Sequence, residues 1–163
     1  MSGTTVRANC LDASALVKLQ VPEPGSAIGR AYRVREPTKY ATPFCFYEVL
    51  NVPKVKWQYR NRLSRDGYLQ PCFALAAWYS ASSKRVNDPD FTLPAAFVQA
   101  KRLVERTSFD VSDAFQILSV KLGYFSCLGE ESKTVLVTGD KDLAAAARGE
   151  GLRDWYFIDE PAP

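Results

Sequence analysis

With 163 residues, 47% of them hydrophobic, and a net charge of +3, the chain holds enough apolar material for one self-supporting domain over 1–163. The charge excess is too small to announce a nucleic-acid binder by bulk composition alone. Histidine is absent, which excludes Ser-His-Asp and Cys-His catalysis, imidazole acid–base chemistry and the usual zinc hydrolase sites, and leaves carboxylates, hydroxyls, lysine and thiol.

The first expected element is a strand over 5–11 that stops at Asp12. Residues 13–19 favour a short helix, halted by the breaker Val21-Pro22-Glu23-Pro24-Gly25, and a second short helix starts near Ser26 and ends before Pro37. A brief strand at 40–41 leads to Thr42, a good helix cap, with Pro43 in the first turn of the helix that carries Glu48. Pro53 is expected to bend or break that helix, because it lacks an N–H and crowds the preceding turn, although 54–63 favours helix again. A turn at 64–67, a helix over 68–83 and a polar loop over 86–92 follow. Pro94 opens a helix to Arg106, and Asp110 or Ser112 caps the next, which buries Phe115, Leu118 and Leu122 and ends at Gly123. After a loop at 129–133 come a buried strand at 134–137, an alanine-rich helix over 142–148 and a last strand at 155–158. Strands separated by helices throughout predict an α/β fold, a three-layer α/β/α sandwich around a mainly parallel sheet.

No apolar run approaches the roughly 18 residues of a membrane span, and no basic and apolar leader opens the chain, so a cytoplasmic protein is expected. Cys10, Cys45, Cys72 and Cys127 lack the close pairing of zinc ligands and read as small core residues with free thiols.

The chemistry must then come from the acids. Asp12 and Asp140 each fall just past a strand end, where open parallel sheets gather function, yet each taken alone reads first as a helix N-cap. Glu48 sits among Phe44, Phe46, Tyr47, Val49 and Leu50 with no Lys or Arg three or four positions away. A carboxylate there reaches solvent or is compensated from outside its helix. Asp113 repeats the pattern between Val111 and Phe115, and it shares with Asp142 the simpler role of a first-turn acid on the helix dipole. Four acids without adjacent bases are the group expected where hard oxygen ligands converge on Mg²⁺ or Mn²⁺.

These residues resemble a known family. The opening Cys10-Leu11-Asp12-Ala13-Ser14-Ala15-Leu16-Val17-Lys18 with Val21-Pro22-Glu23-Pro24-Gly25-Ser26, then Glu48-Val49-Leu50-Asn51, Ser112-Asp113-Ala114 and Thr138-Gly139-Asp140-Lys141-Asp142-Leu143, is similar in order and spacing to the PIN-domain ribonucleases. The likeness is greatest to the VapC-type toxins of bacterial and archaeal toxin–antitoxin pairs. The resemblance implies that Asp12, Glu48, Asp113 and Asp140 are catalytic and metal-site acids, Asp142 an auxiliary metal acid, and Ser14 and Thr138 hydrogen-bonding neighbours. It also implies metal-assisted hydrolysis of RNA, a cognate antitoxin and a homodimer. The stretches 61–93 and 123–133 are longer than in compact toxin members.

RNA needs a cationic track, and Lys54, Lys56, Arg60, Arg62 and Arg65 crowd together with Trp57 and Tyr59 interleaved; the same stretch also reads as a solvated helix face with two core aromatics. A haloacid-dehalogenase-type phosphotransferase also places Asp after a first strand, but it needs a second Asp two positions on, where Ser14 stands. Two other readings remain beside the toxin: a catalytically silent PIN-like RNA-binding or interaction scaffold, and a free-standing RNA-processing nuclease.

Overall fold

The structure, a computed structural model, describes residues 8–35, 39–60, 63–81, 84–125 and 134–161. In chain order the elements are β1 (Asn9–Leu11), α1 (Ala13–Gln20), α2 (Ser26–Arg35), β2 (Lys39–Ala41), α3 (Pro43–Gln58), α4 (Arg65–Ala81) and β3 (Lys84–Arg85), followed by α5 (Pro94–Arg106), α6 (Val111–Leu122), β4 (Val135–Thr138), α7 (Lys141–Gly149) and β5 (Arg153–Tyr156). The strands lie in the order β3-β2-β1-β4-β5, and every pairing is parallel.

The two-residue period of a strand divides the core into two clusters. Leu11, Val135, Val137 and Trp155 pack on one face with Leu16 of α1, Val49 of α3 and Leu75 and Trp78 of α4. Cys10 and Leu136 point the other way, onto Ala100 and Leu103 of α5, Ile117 and Leu118 of α6 and Leu143 of α7. The three-layer α/β/α sandwich expected from the alternation of elements is therefore present. β1 pairs with β2 on one side and β4 on the other, so the strand order reverses between β1 and β4. In such sheets a crevice opens outside the carboxyl ends of the strands at that reversal.

Several boundaries differ from expectation. α3 runs unbroken through Pro53, whose buried ring packs under the helix while Thr42 caps the start. Only one intrahelical hydrogen bond is forfeited at a proline, and burial of the α3 face offsets that loss. The helical stretch expected to reach 63 is capped at Tyr59 instead. The turn expected at 64–67 is the first turn of α4, whose start is fixed by Ser64 accepting from the Gly67 N–H at 3.0 Å. β3 was not expected, being only two residues long, and β5 lies two residues earlier than predicted, leaving Phe157 buried just beyond the ladder. Cys10, Cys45 and Cys72 are free thiols. Cys127, Arg62 and the first residues of the expected strand at 5–7 lie outside the described residues. Among the described residues no helix is long and apolar enough to cross a membrane.

Candidate active site

β1 ends at Leu11 and α1 begins at Ala13, so Asp12 occupies the bend between them, at the carboxyl edge of the sheet. Its carboxylate caps α1, accepting from the Ala15 N–H at 2.8 Å. It also accepts from the Thr138 hydroxyl at 2.9 Å and from the Ser14 hydroxyl at 2.9 Å and 3.0 Å. The N-cap role weighed for Asp12 is therefore present, on a carboxylate that also lies at the end of β1. At 2% exposure, burial pushes its carboxyl up to about 6 against the opposing pull of those hydrogen bonds, and the charge of Asp140 adds to the rise.

Ser14 and Thr138 join the ends of β1 and β4. The Gly139 N–H donates to Ser14 Oγ at 2.8 Å, and the Asp140 N–H donates to Thr138 Oγ1 at 2.9 Å. A Cβ at Gly139 would fall 2.8 Å from Cε of Lys18, so the lysine chain that crosses this turn would have to shift to admit one. Asp140 caps α7 through the Asp142 and Leu143 N–H groups, at 2.9 Å and 3.0 Å, and is otherwise exposed. Asp142 is exposed in the first turn of α7.

Glu48 and Asp113 come from the helices. Glu48 is half-buried on α3 and is compensated from α6, with Ser112 Oγ donating to one oxygen and Gln116 Nε2 to the other. Asp113 is half-buried in the first turn of α6, where Asp110 caps the helix by accepting its N–H at 3.0 Å. Burial first, and then the charges of Asp110, Asp140 and Glu48, together raise the Asp113 carboxyl to about 6. The four acids are therefore electrostatically coupled, Asp12 to Asp140 and Asp113 to both Asp140 and Glu48. Three helix N-termini, those of α1, α6 and α7, meet at this edge behind their aspartate caps.

The donor set suits a divalent cation: every group is a hard oxygen ligand, and the repulsion felt at Asp113 is the kind that such an ion relieves. As they stand, however, no three acidic or thiol groups among the described residues form a ready-made metal cluster. Hydrogen bonds already engage both oxygens of Asp12 and of Glu48.

The basic stretch is divided by helical phase. Lys56 and Arg60 line a groove of about 580 Å³ that also takes in Glu48 and Ser112. Lys54, about 240° round α3 from Glu48, is exposed outside that groove, as is Arg65 at the start of α4. Trp57 stacks on Tyr68 of α4, with ring centroids 5.0 Å apart, whereas Tyr59 is 74% exposed.

Sequence reasoning missed three residues that organise this edge. Glu23, within the breaker, ion-pairs Lys18 at 3.2 Å and also binds Lys56, tying α1 to α3; these bonds and charges outweigh its burial and hold its carboxyl below the ordinary range. Gln116 holds Glu48, and Asp88, in the loop expected at 86–92, accepts from the Phe44 N–H at 2.6 Å, adding a second cap to α3. A charge pair spanning the breaker, Lys18 with Glu23, was the one signal available; Gln116 and Asp88 act across 68 and 44 residues and left none.

No protein-family profile and no curated protein sequence matches the chain. Among solved structures it is similar to PAE2754 from Pyrobaculum aerophilum, at 23% identity and a TM-score of 0.57, over 94% of this chain and 88% of that one. It is also similar to VapC20 of Mycobacterium tuberculosis, a sarcin-ricin loop cleaving toxin, at 10% identity and a TM-score of 0.56, over 85% of this chain and 94% of that one. The chain has the fold of the VapC-type PIN-domain proteins.

Proposed function

We propose that this protein is a Mg²⁺- or Mn²⁺-dependent ribonuclease, the toxin of a toxin–antitoxin pair. What supports the reading is that Asp12, Glu48, Asp113 and Asp140, from four separate segments, feel one another's charge, Asp12 with Asp140 and Asp113 with Asp140 and Glu48, beside the edge where the strand order reverses. In this reading those four acids would hold the cation, with Asp142 as an auxiliary. A bound divalent ion lowers the pKa of water and offsets charge on a leaving phosphate oxygen, so hydrolysis of a phosphodiester needs no protein nucleophile. That accords with the absence of histidine.

The chain's own residues do the rest. Thr138 and Ser14 fix the Asp12 carboxylate by hydrogen bonds, Ser112 and Gln116 orient Glu48, and the N-terminus of α7 favours negative charge beside Asp140. Arg60 would supply positive charge beside the acids for the phosphate chain, next to Lys56, which Glu23 also binds, while Lys54, Arg62 and Arg65 would act as outlying contacts.

The test is RNA cleavage by the purified protein. Cleavage is expected with Mn²⁺, is expected to vanish with excess EDTA and is expected to be lost in Asp140→Asn; undiminished cleavage in EDTA would reject the reading. The rival is a catalytically silent RNA-binding scaffold, favoured by the hydrogen bonds that already engage Asp12 and Glu48. Calorimetric titration with Mn²⁺ separates the two, because a scaffold takes up no ion through these acids. Growth arrest on expression, relieved by the product of an adjoining small gene, separates a toxin working in the cytoplasm from a free-standing processing nuclease. A homodimer is part of the same proposal, and sedimentation tests it.

A further inference from the structure

We infer that the groove along α3 beside the acids is a nucleobase subsite for single-stranded RNA, with Tyr47 as the stacking platform and Asn51 as the group that hydrogen-bonds the base edge. The ribonuclease reading supplies only the direction, by placing the reacting phosphate at the carboxylates.

The groove begins at Glu48 and Ser112 and runs to Lys56 and Arg60, with a volume of about 580 Å³, within the range of small-molecule sites. Helical phase builds it. Tyr47, Asn51 and Val55 form one stripe at a spacing of four, and Glu48, Val52 and Lys56 form the neighbouring stripe. From Glu48 to Lys56 the helix rises about 12 Å, room for one nucleotide between the acidic end and the cationic end.

Tyr47 is 66% exposed, unusual for so large a ring on a helix that packs into the core. Its recorded ring contact is with neighbouring Phe46, edge-on at 5.7 Å, which leaves most of the phenol to solvent. The Asn51 carboxamide is exposed and makes no hydrogen bond among the described residues, so both its donor and its acceptor are available. At the far end the Arg60 guanidinium has no carboxylate partner among the described residues.

A flat aromatic surface, an unused amide and an unpaired guanidinium in line are what an unstacked base and its phosphate require. A peptide strand would want a free sheet edge, and this groove is walled mainly by one helix whose backbone is already paired.

The experiment measures, in EDTA, the affinity of hexanucleotide RNAs that each carry one abasic site at a successive position. Wild type, Tyr47→Ala, Tyr47→Phe and Asn51→Ala are compared by fluorescence anisotropy; both altered side chains are exposed, so the variants keep the fold. Tyr47→Ala is expected to weaken binding about tenfold or more, and Tyr47→Phe to bind like wild type. One abasic position is expected to cost wild type that same factor and to cost Tyr47→Ala nothing further. Asn51→Ala is expected to weaken binding and level the base preference at that position.

Equal abasic penalties in wild type and Tyr47→Ala at every position would overturn the inference, as would a failure of wild type to bind RNA or displacement of the RNA by apolar peptides alone. Addition of Mn²⁺ distinguishes the two readings: coupling without cleavage removes the nuclease and leaves the subsite, whereas cleavage without coupling does the reverse.

Discussion

Replacing Asp12 by Asn is expected to make the protein more stable at neutral pH and, in the same variant, to abolish RNA hydrolysis. Burial raises the Asp12 carboxyl from 3.8 to about 6, so the folded state holds this proton more tightly than the unfolded chain does. The stability that follows from a raised carboxyl is fully present below pH 4 and is lost as pH rises through 6. The rise corresponds to roughly 3 kcal/mol as an upper limit, or a gain of several degrees in melting temperature for Asp12→Asn at pH 7.5. The amide oxygen still caps α1 through the Ala15 N–H, so the substitution removes charge without removing the cap. At pH 4 the advantage should disappear, since wild type is then protonated too. Thermal melts at pH 4 and 7.5 give the stability arm, and cleavage of single-stranded RNA with Mn²⁺ gives the activity arm. Mn²⁺ should raise the melting temperature of wild type more than that of Asp12→Asn, because the variant lacks one of the four carboxylates proposed to hold the cation. A variant less stable than wild type at pH 7.5 would show that hydrogen bonding, not burial, governs this carboxylate.

The parts of the site that could be read from the linear order were those encoded locally. Asp12 and Asp140 were legible because an apolar strand gives way to an acid that must cap the next helix, and in a parallel sheet such ends share an edge. Glu48 was legible by a deficit: no cation lies one turn away, so its compensation had to come from elsewhere, and it comes from Ser112 and Gln116. Those partners were not legible, because the packing of α3 against α6 is decided by the whole fold. The same holds for Asp88, whose loop gains meaning only when it meets the start of α3. The basic run could not be apportioned from sequence for a simpler reason: residues close in sequence point to different sides of a helix, so Lys56 turns toward Glu23 while Lys54 turns to solvent. At Pro53 local chemistry favoured a break, and the tertiary burial of α3 prevailed.

Thr138→Val should be the most damaging single change of shape-preserving character. Thr138 is 0% exposed, and its hydroxyl serves twice, donating to Asp12 and accepting from the Asp140 N–H, both at 2.9 Å. Valine fills the same space and offers neither function, so a buried carboxylate oxygen loses a donor and a backbone N–H loses its acceptor. Each such loss costs about 1–3 kcal/mol, and together they predict a fall in melting temperature of roughly 5–15 °C. The pKa of the Asp12 carboxyl should rise still further, since the Thr138 hydrogen bond is one of the contacts holding it down. Cleavage should therefore require higher pH in Thr138→Val, while Thr138→Ser, which keeps the hydroxyl, should restore both stability and the pH profile. Combining the change with Asp12→Asn makes the origin of the loss measurable. If the hydroxyl matters mainly by stabilising a buried charge, Thr138→Val should cost distinctly less in the Asp12→Asn background. An equal cost in both backgrounds would place the damage at the Asp140 N–H and the packing of β4, and would deny Thr138 any role in tuning the acid.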